Sequence, residues 1–89
     1  MALSTSSEVL AAHLSGEAVL LNLSDKSYYR LNETAALVWA GLEKGDDLEA
    51  ILATLLSRYA VSGEQAEAEM NRVIDEMKSR KLLFDDSTE

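Results

Sequence analysis

The sequence predicts a single α+β domain, a three-stranded antiparallel sheet followed by three α-helices. Three observations carry that prediction. Between Val9 and Leu31, short apolar segments are separated by small or polar turn residues. At Asn32 the apolar spacing changes from two to three and four, so a strand hands over to a helix. Further on, Leu48, Ile51, Leu52, Leu55, Leu56 and Tyr59 form an unbroken helical stripe.

The first strand is expected over Val9 to Leu14, with Leu10, Ala12 and Leu14 on one face, although the Leu and Ala content of this segment also allows a helix. Ser15-Gly16 is a turn signal, and Glu17 to Leu23 forms the second strand. There Val19, Leu21 and Leu23 point one way, while Ala18, Leu20 and Asn22 point the other. Ser24-Asp25-Lys26-Ser27 is a polar turn, and Tyr28 to Leu31 returns as the third strand, with Tyr29 and Leu31 on its core face.

Asn32 can accept from the first free N–H groups of a helix. That helix is expected over 33–43, with Ala35, Val38, Trp39 and Leu42 on its apolar stripe. Lys44-Gly45 closes it with a cation near the last turn and a glycine for the left-handed cap. Asp46 and Glu49 have the spacing of a reciprocal capping box for the second helix. Ser62 and Gln65 repeat that spacing for the third, with Val61 placed to pack on Ala66. Ala66, Met70, Val73, Ile74 and Met77 are its apolar side, and Lys78, Arg80 and Lys81 suit the negative end of its dipole. Residues 1–7 are expected to be flexible, residues 8–84 to form the domain, and residues 85–89 to be a flexible acidic tail.

A chain of 89 residues has room for one modest core. With no cysteine it can form neither disulfides nor thiolate metal sites, which fits a reducing cytoplasm. No apolar run reaches the roughly 20 residues of a membrane span, so no membrane partner is expected. The formal charge of −8 opposes nucleic-acid binding, which needs clustered Lys and Arg, and permits a basic partner. It also opposes a winged-helix DNA-binding role, because the third helix is rich in acids.

The residues offer little chemistry. His13 is the sole histidine, so a metal site would rest almost wholly on carboxylates. No Gly-x-Ser-x-Gly turn or glycine-rich phosphate loop is present, and no Asp-Ser-Leu opens a helix as a carrier protein requires. Neither enzymatic activity nor a cofactor is expected. What remains is an edge strand, whose unpaired backbone groups can accept another chain. In Tyr28-Tyr29-Arg30-Leu31 only Arg30 could blunt that edge, and the tyrosines supply wide contact area with a polar tip. The methionines Met70 and Met77 can adapt to a ligand or simply fill core.

The run Val19-Leu20-Leu21-Asn22-Leu23, a polar turn, then Tyr28 to Ala35 and Val38-Trp39, resembles the PqqD-like family. Its sharpest motif is Tyr-x-Leu-Asn-x-Thr-Ala, carried by Tyr29, Leu31, Asn32, Thr34 and Ala35. The resemblance extends over about residues 9–84, although many members have glycine or aspartate where this chain has Lys26-Ser27. It implies a winged-helix-like peptide chaperone that binds the leader of a ribosomally made precursor peptide and presents it to a maturation enzyme. The leader would add as a strand beside the third strand. Tyr28, Tyr29, Arg30 and Leu31 would form one wall of the groove, and Met70, Val73, Glu76, Met77 and Arg80 the other. The nearest pattern is that of stand-alone members serving lasso-peptide synthesis beside a separate leader protease. Members serving a radical SAM enzyme in pyrroloquinoline quinone synthesis come close behind. A monomer or weak dimer is expected.

Overall fold

A computed structural model of the chain describes residues 3–85. Its strands are β1 (Leu3–Thr5), β2 (Val9–Leu14), β3 (Glu17–Asn22), β4 (Ser27–Leu31) and β5 (Leu83–Asp85). Between β4 and β5 lie α1 (Glu33–Lys44), α2 (Leu48–Arg58) and α3 (Gly63–Ser79). Strands β2, β3 and β4 form an antiparallel meander in that order. The predicted α+β fold is therefore present, with three strands leading into three helices.

Two turns set the register of this sheet. Ser15 and Gly16, both at positive φ, join Leu14 to its partner Glu17, the left-handed pair that suits a two-residue hairpin. Between β3 and β4 the left-handed position falls on Lys26, at φ 64°. There the Asp25 carboxylate accepts from the Ser27 amide at 3.0 Å and the Ser27 hydroxyl at 2.5 Å, and so fixes the turn. These two bonds hold the Asp25 carboxyl below its ordinary pKa.

The inner face of the sheet carries Ala18, Leu20 and Leu31, all buried, with Tyr29 partly buried beside them. Asn22 shares that face at the sheet end, where its side-chain oxygen accepts from the Ser24 amide at 2.9 Å. The opposite face leaves Leu10, Leu21 and Tyr28 open to solvent, paired across the strands as Leu10–Leu21 and Leu21–Tyr28.

The helices cover the inner face. Asn32 caps α1 by accepting from the Ala35 amide at 2.9 Å, and Gly45 ends it at φ 86°. Trp39 and Val38 are fully buried on the stripe the sequence marks. Gly41 lets α2 come close, because a Cβ there would stand 2.6 Å from Ile51 Cγ1. On α2 the buried stripe is narrower than its pattern: Ile51 and Leu55 are buried, while Leu56 is exposed. Asp47, not Asp46, caps this helix, accepting from the Ala50 amide at 2.8 Å. With alanine at that third position the expected reciprocal box does not form. Ser62 and Gln65 do form one on α3, although Val61 is exposed. All five apolar residues expected on α3 are buried.

The chain's start departs from the loose segment predicted over residues 1–7. Leu3–Thr5 pairs antiparallel with Leu83–Asp85 in a separate two-stranded sheet. The Ser6 amide extends the pairing by donating to the Leu82 carbonyl at 3.0 Å. Pairing of β1 with β5 gives Leu82 and Leu83 a cover, and both are almost fully buried. Asp85, the first residue of the expected tail, therefore ends a strand, while residues 1–2 and 86–89 lie outside the described residues.

Candidate functional site

The strand order leaves β2 and β4 as the edges of the three-stranded sheet. Beside β4 the inner face does not close on α3, and an open cavity of about 330 Å³ separates them. Leu31, Ala35, Val73, Met77 and Leu82 supply its apolar surfaces, with Tyr29 on the strand side. Its polar lining is Arg30, Asn32, Arg72, Glu76 and Arg80.

Each element has a local reason for its place. Alternation along β4 turns Tyr29 and Leu31 inward and Tyr28 and Arg30 outward. Helical spacing aligns Val73, Met77 and Arg80, so that two apolar groups are followed by a cation as α3 ends. The chain then doubles back, with the Leu82 amide donating to the Met77 carbonyl at 2.9 Å, and this return brings Leu82 beneath the groove.

Charge is concentrated on the α3 side. Arg72 donates to Glu69 from Nε at 3.2 Å and Nη2 at 2.5 Å, and from Nη1 to Glu76 Oε1 at 3.4 Å. Arg80 donates through Nε and Nη2 to Glu76 Oε2 at 3.3 and 3.2 Å. Its guanidinium also stacks over Tyr29, 4.5 Å from the ring centroid. The Ser27 hydroxyl, and after it Arg80, hold the Tyr29 phenol below its ordinary pKa. Hydrogen bonding to Arg72 likewise lowers the pKa of Glu69. Arg30 leans the other way, to Glu17 at 3.2 Å.

Of the nine residues assigned to the groove from sequence, seven line the cavity: Tyr29, Arg30, Leu31, Val73, Glu76, Met77 and Arg80. Two do not. Met70 is 3% exposed and belongs to the core, and Tyr28 is 69% exposed on the outer face. The sequence reasoning missed Asn32, Ala35, Arg72 and Leu82. Arg72 had a usable signal, since it precedes Val73 and lies four residues before Glu76 on the same helix.

The arrangement offers backbone hydrogen bonds along β4, a partly apolar trough, and guanidinium groups at the rim. Those are the parts of a strand-accepting peptide site. Among the described residues no cluster of His, Cys, Asp and Glu could hold a metal, and no helix is long and apolar enough to cross a membrane.

Residues 17–83 match the model of the family described as coenzyme PQQ synthesis protein D. The chain belongs to the PqqD family. Two solved structures resemble this PqqD-family domain over nearly its whole length. One, TbiB1 in complex with the TbiA(beta) leader peptide, is 26% identical, with a TM-score of 0.86 over 97% of this chain and 98% of that one. The other, lasso peptide synthetase B1 complexed with its leader peptide, is 25% identical, with a TM-score of 0.86 over 96% and 100% of the two chains. Among curated proteins none matches the chain.

Proposed function

We propose that this PqqD-family domain is a non-catalytic chaperone for a precursor peptide of lasso type. It binds the leader by strand addition at β4 and presents the attached core to a leader protease or another maturation enzyme. The observation that carries the proposal is the unpaired β4 edge facing α3 across an open groove. Two structures so similar in shape, each holding a leader peptide, support it. One of them is a lasso peptide synthetase B1, which favours that pathway over pyrroloquinoline quinone synthesis.

In this mechanism the leader arrives disordered and pairs with the free amides and carbonyls of β4. Its alternate side chains then enter the cavity between Tyr29 and Leu31 on one wall and Val73 and Met77 on the other. Backbone pairing binds with little sequence preference, and the trough selects among leaders. Ordering the segment costs about 2–5 kcal/mol. Burying two or three apolar leader side chains at about 1.5–3 kcal/mol each offsets that cost and leaves usable affinity.

Fluorescence anisotropy with a labelled leader and a labelled DNA duplex at matched salt tests the proposal. Saturable leader binding with no duplex response is expected. Tight, salt-sensitive duplex binding without leader binding would overturn it.

A further inference from the structure

Three of the four arginines in this chain, Arg30, Arg72 and Arg80, line one groove. Glu76 lines the groove with them, and Glu17 and Glu69 stand beside it as partners of Arg30 and Arg72, so each guanidinium is paired with a surface carboxylate. The guanidinium groups also have donors to spare. Each carries five N–H groups, yet Arg30 donates to Glu17 from Nη2 alone and Arg80 to Glu76 from only two nitrogens, while Arg72 is engaged from all three by Glu69 and Glu76. Glu76 is itself divided between Arg72 and Arg80. All these pairs are exposed, so each is weak and can exchange with an incoming carboxylate at little loss.

Covering the groove changes the balance. A peptide strand laid along β4 takes water from these guanidinium groups, and a desolvated guanidinium needs an anion with matching geometry. Strand addition also sets one leader residue directly opposite Arg30, where an opposite charge stabilises a cross-strand pair and a like charge destabilises it. We infer that the groove selects leaders bearing Asp or Glu among their apolar anchors, one facing Arg72 and Arg80 on the α3 wall and one opposite Arg30 on the outward side of β4. The inference rests on the leader-binding reading above and adds the chemical class of the recognised segment.

The test is a selection from a randomised 12-residue peptide library displayed on phage. Three baits are used: the native chain, a variant with Arg30, Arg72 and Arg80 all changed to Gln, and Val73→Asp, each checked for native circular dichroism. The native bait should enrich apolar residues at alternate positions with acids at fixed places among them. The glutamine variant should keep the apolar pattern and lose the acids. In a synthetic peptide of the enriched sequence, changing those acids to Lys should weaken binding by about tenfold or more, with the difference shrinking as salt rises. An enriched pattern without an acid, or an acid kept by the glutamine variant, would overturn the inference while leaving the groove intact. Equal enrichment by native and Val73→Asp baits would instead remove the groove reading itself.

Discussion

The three-stranded sheet has two edges, and they differ in what stands beside them. Along β2, Val9 to Leu14 offers an almost uncharged strand whose Leu10 and Leu14 lie open to solvent. Its His13 imidazole reaches out of the sheet to within 3.8 Å of Glu43. Along β4, the same kind of backbone faces α3 across a cavity lined by apolar groups and arginines. Both edges can pair with a passing strand, but the cavity beside β4 is the larger, about 330 Å³ against about 140 Å³ at His13 of β2, and gives more room for a strand's side chains. An edge is therefore not yet a site; the helix set at a distance from it makes it one.

The largest effect should come from a change that abolishes both edges together. Trp39 is 1% exposed at the centre of the core. Trp39→Ala should cost about 3–5 kcal/mol, and urea melts should show much of the domain unfolded. A melt matching that of the parent would move Trp39 out of the core's energetics. Val73→Asp should separate the edges. Val73 is only 4% exposed even without a leader, so a carboxylate there is buried unpaired in the α3 wall at about 2–7 kcal/mol. Where circular dichroism shows the variant folded, leader binding should vanish while β2 is untouched. Retained affinity in a folded Val73→Asp would mean that the leader does not use the trough.

Removing residues 1–5 should have a moderate effect. It deletes β1, the partner of β5, and so loosens the return of the chain through Leu82, which lines the groove. A loss of about 1–2 kcal/mol in stability is expected, with weaker leader binding and an intact β2–β3–β4 meander by hydrogen exchange. Unchanged binding would show that α3 holds its wall without β5. The two hairpin turns give the smaller contrast. Gly16 already occupies the left-handed position before β3, whereas before β4 Lys26 does so. Lys26→Gly should thus be neutral or stabilise by up to about 1 kcal/mol, read as a rise in the thermal midpoint. Smallest of all, Glu67→Ala on the exposed side of α3 should stay within about 0.5 kcal/mol in stability and leave binding unaltered.

The same contrast explains how much could be known from the sequence. Period and caps are local, so the strand-to-helix change at Asn32 and the five buried residues of α3 were legible in advance. The site was partly legible, because alternation and helical spacing say which face a residue takes. They do not say how far apart two elements stand. Met70 follows the same stripe as Val73 and Met77, yet it packs into the core one turn before the gap opens. Arg72 escaped notice among the acids of α3 because its reach toward β4 depends on that gap. Leu3–Thr5 was hidden for another reason. Three residues carry too little periodicity to mark a strand, and their partner lies at the far end of the chain.

Hydrogen exchange of the domain with and without leader tests the difference between the two edges most directly. Amides of β4, from Ser27 to Leu31, should gain protection when the leader binds, while those of β2, from Val9 to Leu14, stay as they were. Protection appearing on β2 or α2, with β4 unchanged, would contradict the account even if the leader bound tightly.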